Sequence, residues 1–334
     1  MDSTRRRFLL GAAAAGGASL ARGSARNAVA AATNQRPPGQ ATGTVPATPS
    51  GENVFTYRRN WGRWGADDQL GAVNLITPAK RAAAAGLVKT GRAVSLSRPF
   101  TPDQHFIQIN ERGTGRSVVD YYGFMYHGVV VTHIDALCHV WDQNGMWNGR
   151  DPAREIDTSG TRFADVTAFA SGLITRGVLL DVPRYRGTPY VAPDQPVTGA
   201  ELEAVAKAEG VPINPGDALL VYSGREAFVR GASPYGSVTD RRPGLHVSCS
   251  KFIRDWDISV LGWDMLDARP DTTGHPWPVH GVLYSYGVAL LDNALLEPLA
   301  QACAEERRYE FMFMALPLKV VRGTGSPVNP IALF

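Results

Sequence analysis

The sequence predicts an α/β or α+β body built on a substantial mixed β-sheet. Two observations carry that expectation. Short apolar, β-branched runs recur through the second half of the chain, and the segments with helical spacing between them are few and well separated. A third observation sets the size. With 334 residues, 44% hydrophobic and 19% charged, the composition is that of an ordinary globular protein and leaves room for one large domain.

Taken in order, the expected strands are residues 93–97, which alternate, and 128–132, which are β-branched. Residues 177–182 (Gly-Val-Leu-Leu-Asp-Val) form a continuous apolar run, the pattern of a strand buried on both faces. Residues 218–222, 260–263 and 311–316 follow the same logic. Helices are expected at 78–85, capped by Thr77 with Pro78 in the first turn, and at 198–209, where Thr198 and Glu201 have capping-box spacing. A short amphipathic helix is expected at 295–304.

The N-terminus reads differently. Thr4-Arg5-Arg6-Arg7-Phe8-Leu9-Leu10 has twin-arginine form, and the Ala/Gly/Leu run to Ala21 is too short to span a bilayer. Ala28-Val29-Ala30 offers a small-x-small cleavage site. Residues 1–30 are therefore expected to be a twin-arginine signal peptide that sends the mature chain to the periplasm or beyond, with no stable membrane span left in it. Residues 31–53, rich in Pro, Gly, Thr and Ala, read as a disordered linker, and 54–334 as one folded domain. The net charge of +3 comes largely from the N-terminal arginines. No basic stripe remains to suggest nucleic acid. The cysteines Cys138, Cys249 and Cys303 are odd in number and scattered, with no C-x-x-C pair, which argues for three small, partly buried thiols.

The chemistry concentrates at residues 126–139. Three of the seven histidines, His127, His133 and His139, lie there with Asp135 among them. His133 and Asp135 share a face of an extended chain, and one bend brings His139 to Asp135. Imidazole and carboxylate together suit a divalent metal such as zinc or manganese, or an acid–base pair, or a satisfied polar cluster at a strand end. Ser223-Gly224 lacks the G-x-S-x-G context of a serine hydrolase, and no Walker or G-x-G-x-x-G loop is present.

This segment resembles the signature H-x-G-T-H-x-D-x-P-x-H of the cyclase family that includes kynurenine formamidase and isatin hydrolase. Thr132, His133, Asp135 and His139 match its later half. The likeness extends to Trp61-Gly62-Arg63-Trp64-Gly65-Ala66-Asp67-Asp68-Gln69-Leu70-Gly71, to residues 176–181 and to Pro215-Gly216-Asp217, and so covers nearly the whole body. It implies a swivelling β/β/α fold and a metal-dependent hydrolase of a C–N bond in a cyclic or acyl amide, formamidase-like and acting on a small molecule. It also implies a homo-oligomer, dimer or tetramer. His133 and Asp135 become metal ligands and His139 the acid–base residue. His280 and Asp292, twelve apart, complete a second part of the site, with Asp292 in place of the usual glutamate.

Three positions depart from the signature: Val129, Val131 and Leu137 stand where histidine, glycine and proline are expected. His127 is the substitute ligand for the missing histidine. On a straight strand it would lie about 20 Å from His133, so it joins the site only if the chain folds back at Gly128. Otherwise it contacts the ligands or the substrate from outside. Trp64 and Tyr126 are candidate substrate contacts, Asp264 a candidate support, and Arg225 a candidate for a substrate carboxylate. The same residues would also serve a ring-forming cyclase or dehydratase. A catalytically inactive binding protein is the reading from another class, prompted by Val129.

Overall fold

A computed structural model describes residues 58–236, 241–271, 274, 275 and 277–334. The expected signal and linker lie outside the described residues. In chain order the strands are β1 (Ala93–Ser95), β2 (Gln104–Arg112), β3 (Gly115–Gly123), β4 (His133–Asp135), β5 (Ile156–Asp157), β6 (Gly160–Thr161) and β7 (Leu173–Asp181). They continue with β8 (Ala218–Tyr222), β9 (Val260–Trp263), β10 (Ala289–Asp292), β11 (Glu310–Ala315), β12 (Gly325–Pro327) and β13 (Ile331–Leu333). Nine of them form one mixed sheet in the order β1-β13-β11-β7-β8-β9-β10-β4-β12.

The middle of that sheet, β7 to β10, is parallel. Strands β8, β9 and β10 are buried at every residue, as the apolar runs that make up all of them but Asp292 require. Helices α1 (Pro78–Ala85), α2 (Pro152–Glu155), α3 (Val182–Arg186), α4 (Gly199–Glu209), α5 (Arg225–Gly231), α6 (Ser248–Asp255), α7 (Val282–Tyr286) and α8 (Glu297–Glu306) complete this single α/β domain. Thr77 and Thr198 cap α1 and α4 through their side chains, as the sequence indicates. Among the described residues no helix is long and apolar enough to cross a membrane. The three thiols are buried and free.

Two sequence readings change. The β-branched run 128–132 is not a strand; pairing starts only at His133, because Gly128 adopts φ +132° and the chain bends through this stretch. Strand β7 begins four residues earlier than the apolar run, and Val182 opens α3 instead of ending the strand. The β2–β3 hairpin was not visible as a pattern, because its apolar residues fall on both faces.

One close approach locks the segment around Gly71 to the turn between α7 and β10. Gly71 (φ +57°) meets Gly287 (φ +70°), the Ala72 amide donates to the Gly287 carbonyl at 2.7 Å, and a methyl on Gly71 would stand 2.4 Å from that oxygen. Gly71→Ala should therefore destabilise the protein by about 2–4 kcal/mol. A urea midpoint that falls with unchanged slope would bear this out; an unchanged midpoint would show that the two loops part without cost.

Candidate metal centre

The site forms where the parallel strands end and the antiparallel strand β4 joins them. Strand ends of an α/β sheet are the usual place for a ligand crevice. Asp292, last residue of β10, is the cross-strand partner of His133, first residue of β4. Two residues along β4 lies Asp135, buried completely. His133 Nε2 stands 3.3 Å from Asp135 Oδ1, His127 Nδ1 3.0 Å and His139 Nε2 3.9 Å. Yet His127 Nδ1 and both Asp135 oxygens make no hydrogen bond, because the approaches are off the line a hydrogen bond needs. Two donor groups result, His127–Asp135–His139 and His133–Asp135–Asp292, each with one atom per residue and all atoms within 4.8 Å. Asp135 belongs to both.

Local structure explains how His127 arrives. The chain reverses at Gly128, and Asn293, itself at φ +55°, grips the bend. Its amide nitrogen donates to the Gly128 carbonyl at 2.7 Å and to the Val131 carbonyl at 3.1 Å, and its carbonyl accepts from the Thr132 hydroxyl at 2.8 Å. Arg225 donates to the Val129 carbonyl, to Asn293 Oδ1 at 2.8 Å and to the Asp264 carbonyl at 3.3 Å. Arg225 is thus buried and bound to the chain on both sides of the bend, which it helps to fix. Asp264 holds the turn after β8 through the amides of Ser223, Gly224 and Arg225.

His133 Nδ1 donates to the Val131 carbonyl at 2.8 Å, which fixes the ring so that Nε2 faces Asp135. His127 Nε2 bonds the Thr324 hydroxyl at 3.0 Å, and the His127 and His139 rings stack 3.8 Å apart and 5° from parallel. Tyr126 lies beside them, 4.4 Å from the His127 ring and 5.8 Å from the His133 ring, with its hydroxyl on the Gly325 carbonyl. Trp64 packs on Trp147 at 6.4 Å, with the Arg63 guanidinium 4.7 Å from the centre of the Trp64 ring. His280 is in neither donor group as it stands. Its Nε2 faces Asp292 Oδ2 at 3.1 Å and its Nδ1 is held by Asp267. Sequence reasoning missed Asp267 and Asn293; neither sits in a motif, though Asn293 directly follows Asp292.

The Cyclase family model matches residues 94–269, more than half of the chain and inclusive of residues 127–139. The chain belongs to the cyclase family. A crystal structure of a novel cyclase superposes with a TM-score of 0.74 at 29% identity, over 84% of this chain and 99% of that one. Isatin hydrolase A from Ralstonia solanacearum shares the fold, with a TM-score of 0.50 at 19% identity over 76% of this chain and 95% of its own. No curated protein matches.

In this cyclase-family chain the charges around Asp135 are strongly coupled. Burial works against ionising Asp135, but His139 and His133 outweigh it and hold the carboxyl well below its ordinary range. Burial also works against charge on His133; Asp135 beside it and Asp292 across the strands overcome that and raise it to about 9. His139 goes the other way: burial, only partly opposed by Asp135, pushes it down to about 4. His280 is raised well above the usual value, because Asp267 and Asp292 together outweigh its burial.

These shifts set the stability of the metal-free protein. The contribution of His133 is complete below pH 6.5 and is lost as pH rises through about 9. The contribution of neutral His139 is complete above pH 6.5 and is lost as pH falls toward 4, amounting to about 3 kcal/mol. In chelated protein, His139→Gln should flatten the loss of stability between pH 6.5 and 4 seen by urea unfolding. An acid limb identical to wild type would show that His139 is not the buried neutral group.

Proposed function

We propose that the chain is a metal-dependent hydrolase that opens a C–N bond in a cyclic or acyl amide. The observation that carries this reading is Asp135, a buried carboxylate with both oxygens unbonded and imidazole nitrogens turned toward it. Such a charge is tolerable only with a cation, and nitrogen and carboxylate donors in this number fit a divalent ion such as zinc or manganese. His127, His133, Asp135 and Asp292 would hold it. His280 would add its Nε2 on giving up its proton, since Asp267 holds the ring at Nδ1 in the way ligating histidines are oriented. When bound, the ion lowers the pKa of a water from 15.7 to about 7 and polarises the substrate carbonyl.

The chain's own residues do the rest. His139, neutral at physiological pH, accepts the water proton at Nε2 and returns it to the leaving nitrogen, with Asp135 stabilising the imidazolium between the two transfers. The Tyr126 ring, beside His127, offers a flat surface for a planar substrate. Trp64 is proposed as a more distant wall. A solved structure that shares the fold is named an isatin hydrolase, in keeping with a hydrolase reading. From its N-terminal sequence, the enzyme is proposed to be exported by the twin-arginine route to the periplasm or beyond.

Elemental mass spectrometry of protein purified without chelator should find one or two equivalents of zinc or manganese, lost in Asp135→Asn. His139→Gln should keep the metal and lose about 10²–10⁴-fold in turnover across a panel of lactams and acyl amides. Protein that takes up neither metal after loading would sink the metal-hydrolase reading. A metal-replete His139→Gln enzyme at full rate would remove the acid–base assignment.

A further inference from the structure

A second cluster of unsatisfied groups lies away from the metal centre. Strand β7 ends at Asp181, on the same edge of the sheet as Asp292 but three strands away, roughly 14 Å by strand spacing. Beside it α3, the end of α4, the end of α8 and the start of β11 bound a cavity of about 710 Å³, lined among others by Arg184, Glu209, Arg307 and Tyr309. That is room for a small molecule. Two buried oxygens of these side chains are unsatisfied. Glu209 Oε1 accepts from the Asp181 amide at 2.9 Å, but Oε2 has no partner. Tyr309 is 8% exposed, and its hydroxyl has no partner either. Buried polar groups are normally paired, and each one left unpaired costs about 1–3 kcal/mol. Burial pushes the Glu209 carboxyl up to about 8, although the Asp181 amide and Arg184 favour its charge.

The cations of the cavity are also unmatched. The Arg184 guanidinium lies 5.1 Å from the centre of the Tyr309 ring, and among the described residues neither it nor that of Arg307 forms an ion pair. Arg307 ends α8 at φ +52°, in the left-handed region where glycine is the usual residue. An arginine stands there at a backbone cost of about 1 kcal/mol.

We propose that this cavity binds a small zwitterion, a free α-amino acid, with its ammonium group on Glu209 Oε2 and the Tyr309 hydroxyl oxygen and its carboxylate on Arg184 and Arg307. Charge complementarity selects that class. A simple anion would answer the two guanidinium groups and leave the Glu209 carboxyl uncompensated. A simple amine would answer Glu209 and meet two cations. An amino acid carries both charges a few bonds apart, and its ammonium has three hydrogens to give to the two orphaned oxygens. Helices α4 and α8 both end at the cavity, and the negative end of a helix dipole favours a cation there.

The inference does not rest on the hydrolase reading, and its test reads binding instead of turnover. Calorimetric titration of the full chain with glycine, L-leucine and L-phenylalanine should show one saturable site, with a Kd of about 1 mM or tighter for at least one of them. Acetate and methylamine, each carrying one of the two charges, should bind about tenfold more weakly or worse. Glu209→Gln and Tyr309→Phe are close in shape to the native residues, and Arg307→Gly suits the left-handed position, so all three should melt near the wild-type temperature. Glu209→Gln and Arg307→Gly should each weaken the amino acid by about tenfold or more, and Tyr309→Phe by about threefold or more. Amino-acid binding unchanged in Glu209→Gln or Arg307→Gly would overturn the proposal, since a ligand held at the metal centre would not sense either change. So would the lack of saturable heat with all three probes, or acetate binding as tightly as the best of them.

Discussion

Everything near the centre of this molecule answers to one constraint, the buried charge of Asp135. An isolated carboxylate taken fully out of water costs several kcal/mol unless a partner compensates it. Asp135 has no exposed surface, and neither oxygen accepts a hydrogen bond. Most buried carboxylates solve this with backbone amides or an arginine, as Asp264 and Asp217 do here. Asp264 takes the amides of Ser223 to Arg225, and Asp217 takes Lys80 at 2.6 Å and Arg176 at 2.8 Å. Asp135 has imidazoles instead, groups that present lone pairs as readily as protons. That choice of neighbours is the one a coordination site would need.

The sheet makes this arrangement possible. Strand β4 runs antiparallel beside β10, so the first residue of one faces the last residue of the other. His133 and Asp292 are brought together by register, without any help from a loop. The remaining donors come from bends on either side of β4, and their positions depend on how those bends are held. Asn293, immediately after Asp292, supplies most of that hold, with Arg225 behind it. Strand end and bend are thus fastened by consecutive residues, and a shift of either would move both sides of the site together.

The legible part of the sequence was the part whose energetics are local or periodic. The strands at 218–222 and 260–263 were readable because burial on both faces demands an unbroken apolar run, and the caps at Thr77 and Thr198 because capping is a matter of a few residues. The cluster from His127 to His139 and the pair His280 and Asp292 could be named from spacing and family likeness. The bend at 128–132 was misread as a strand: β-branched residues favour extension, and the contacts that overrule them come from Asn293 and Arg225, far along the chain. Asp267 was invisible for the same reason. Its role rests on a contact with His280 thirteen residues away, through a stretch with no regular spacing. The exposed hairpin escaped because alternation reveals a strand only when one face is buried.

The departures from the family signature become intelligible in this light. Leu137 is completely buried in the core, where a proline's fixed backbone has been exchanged for apolar packing. Val131 is buried as well, and its carbonyl receives both His133 Nδ1 and the Asn293 amide. Val129 has lost the imidazole expected at its position, but its carbonyl anchors the bend through Arg225. The imidazole that approaches Asp135 instead comes from His127, two residues earlier, and Gly128 is the residue that lets it do so.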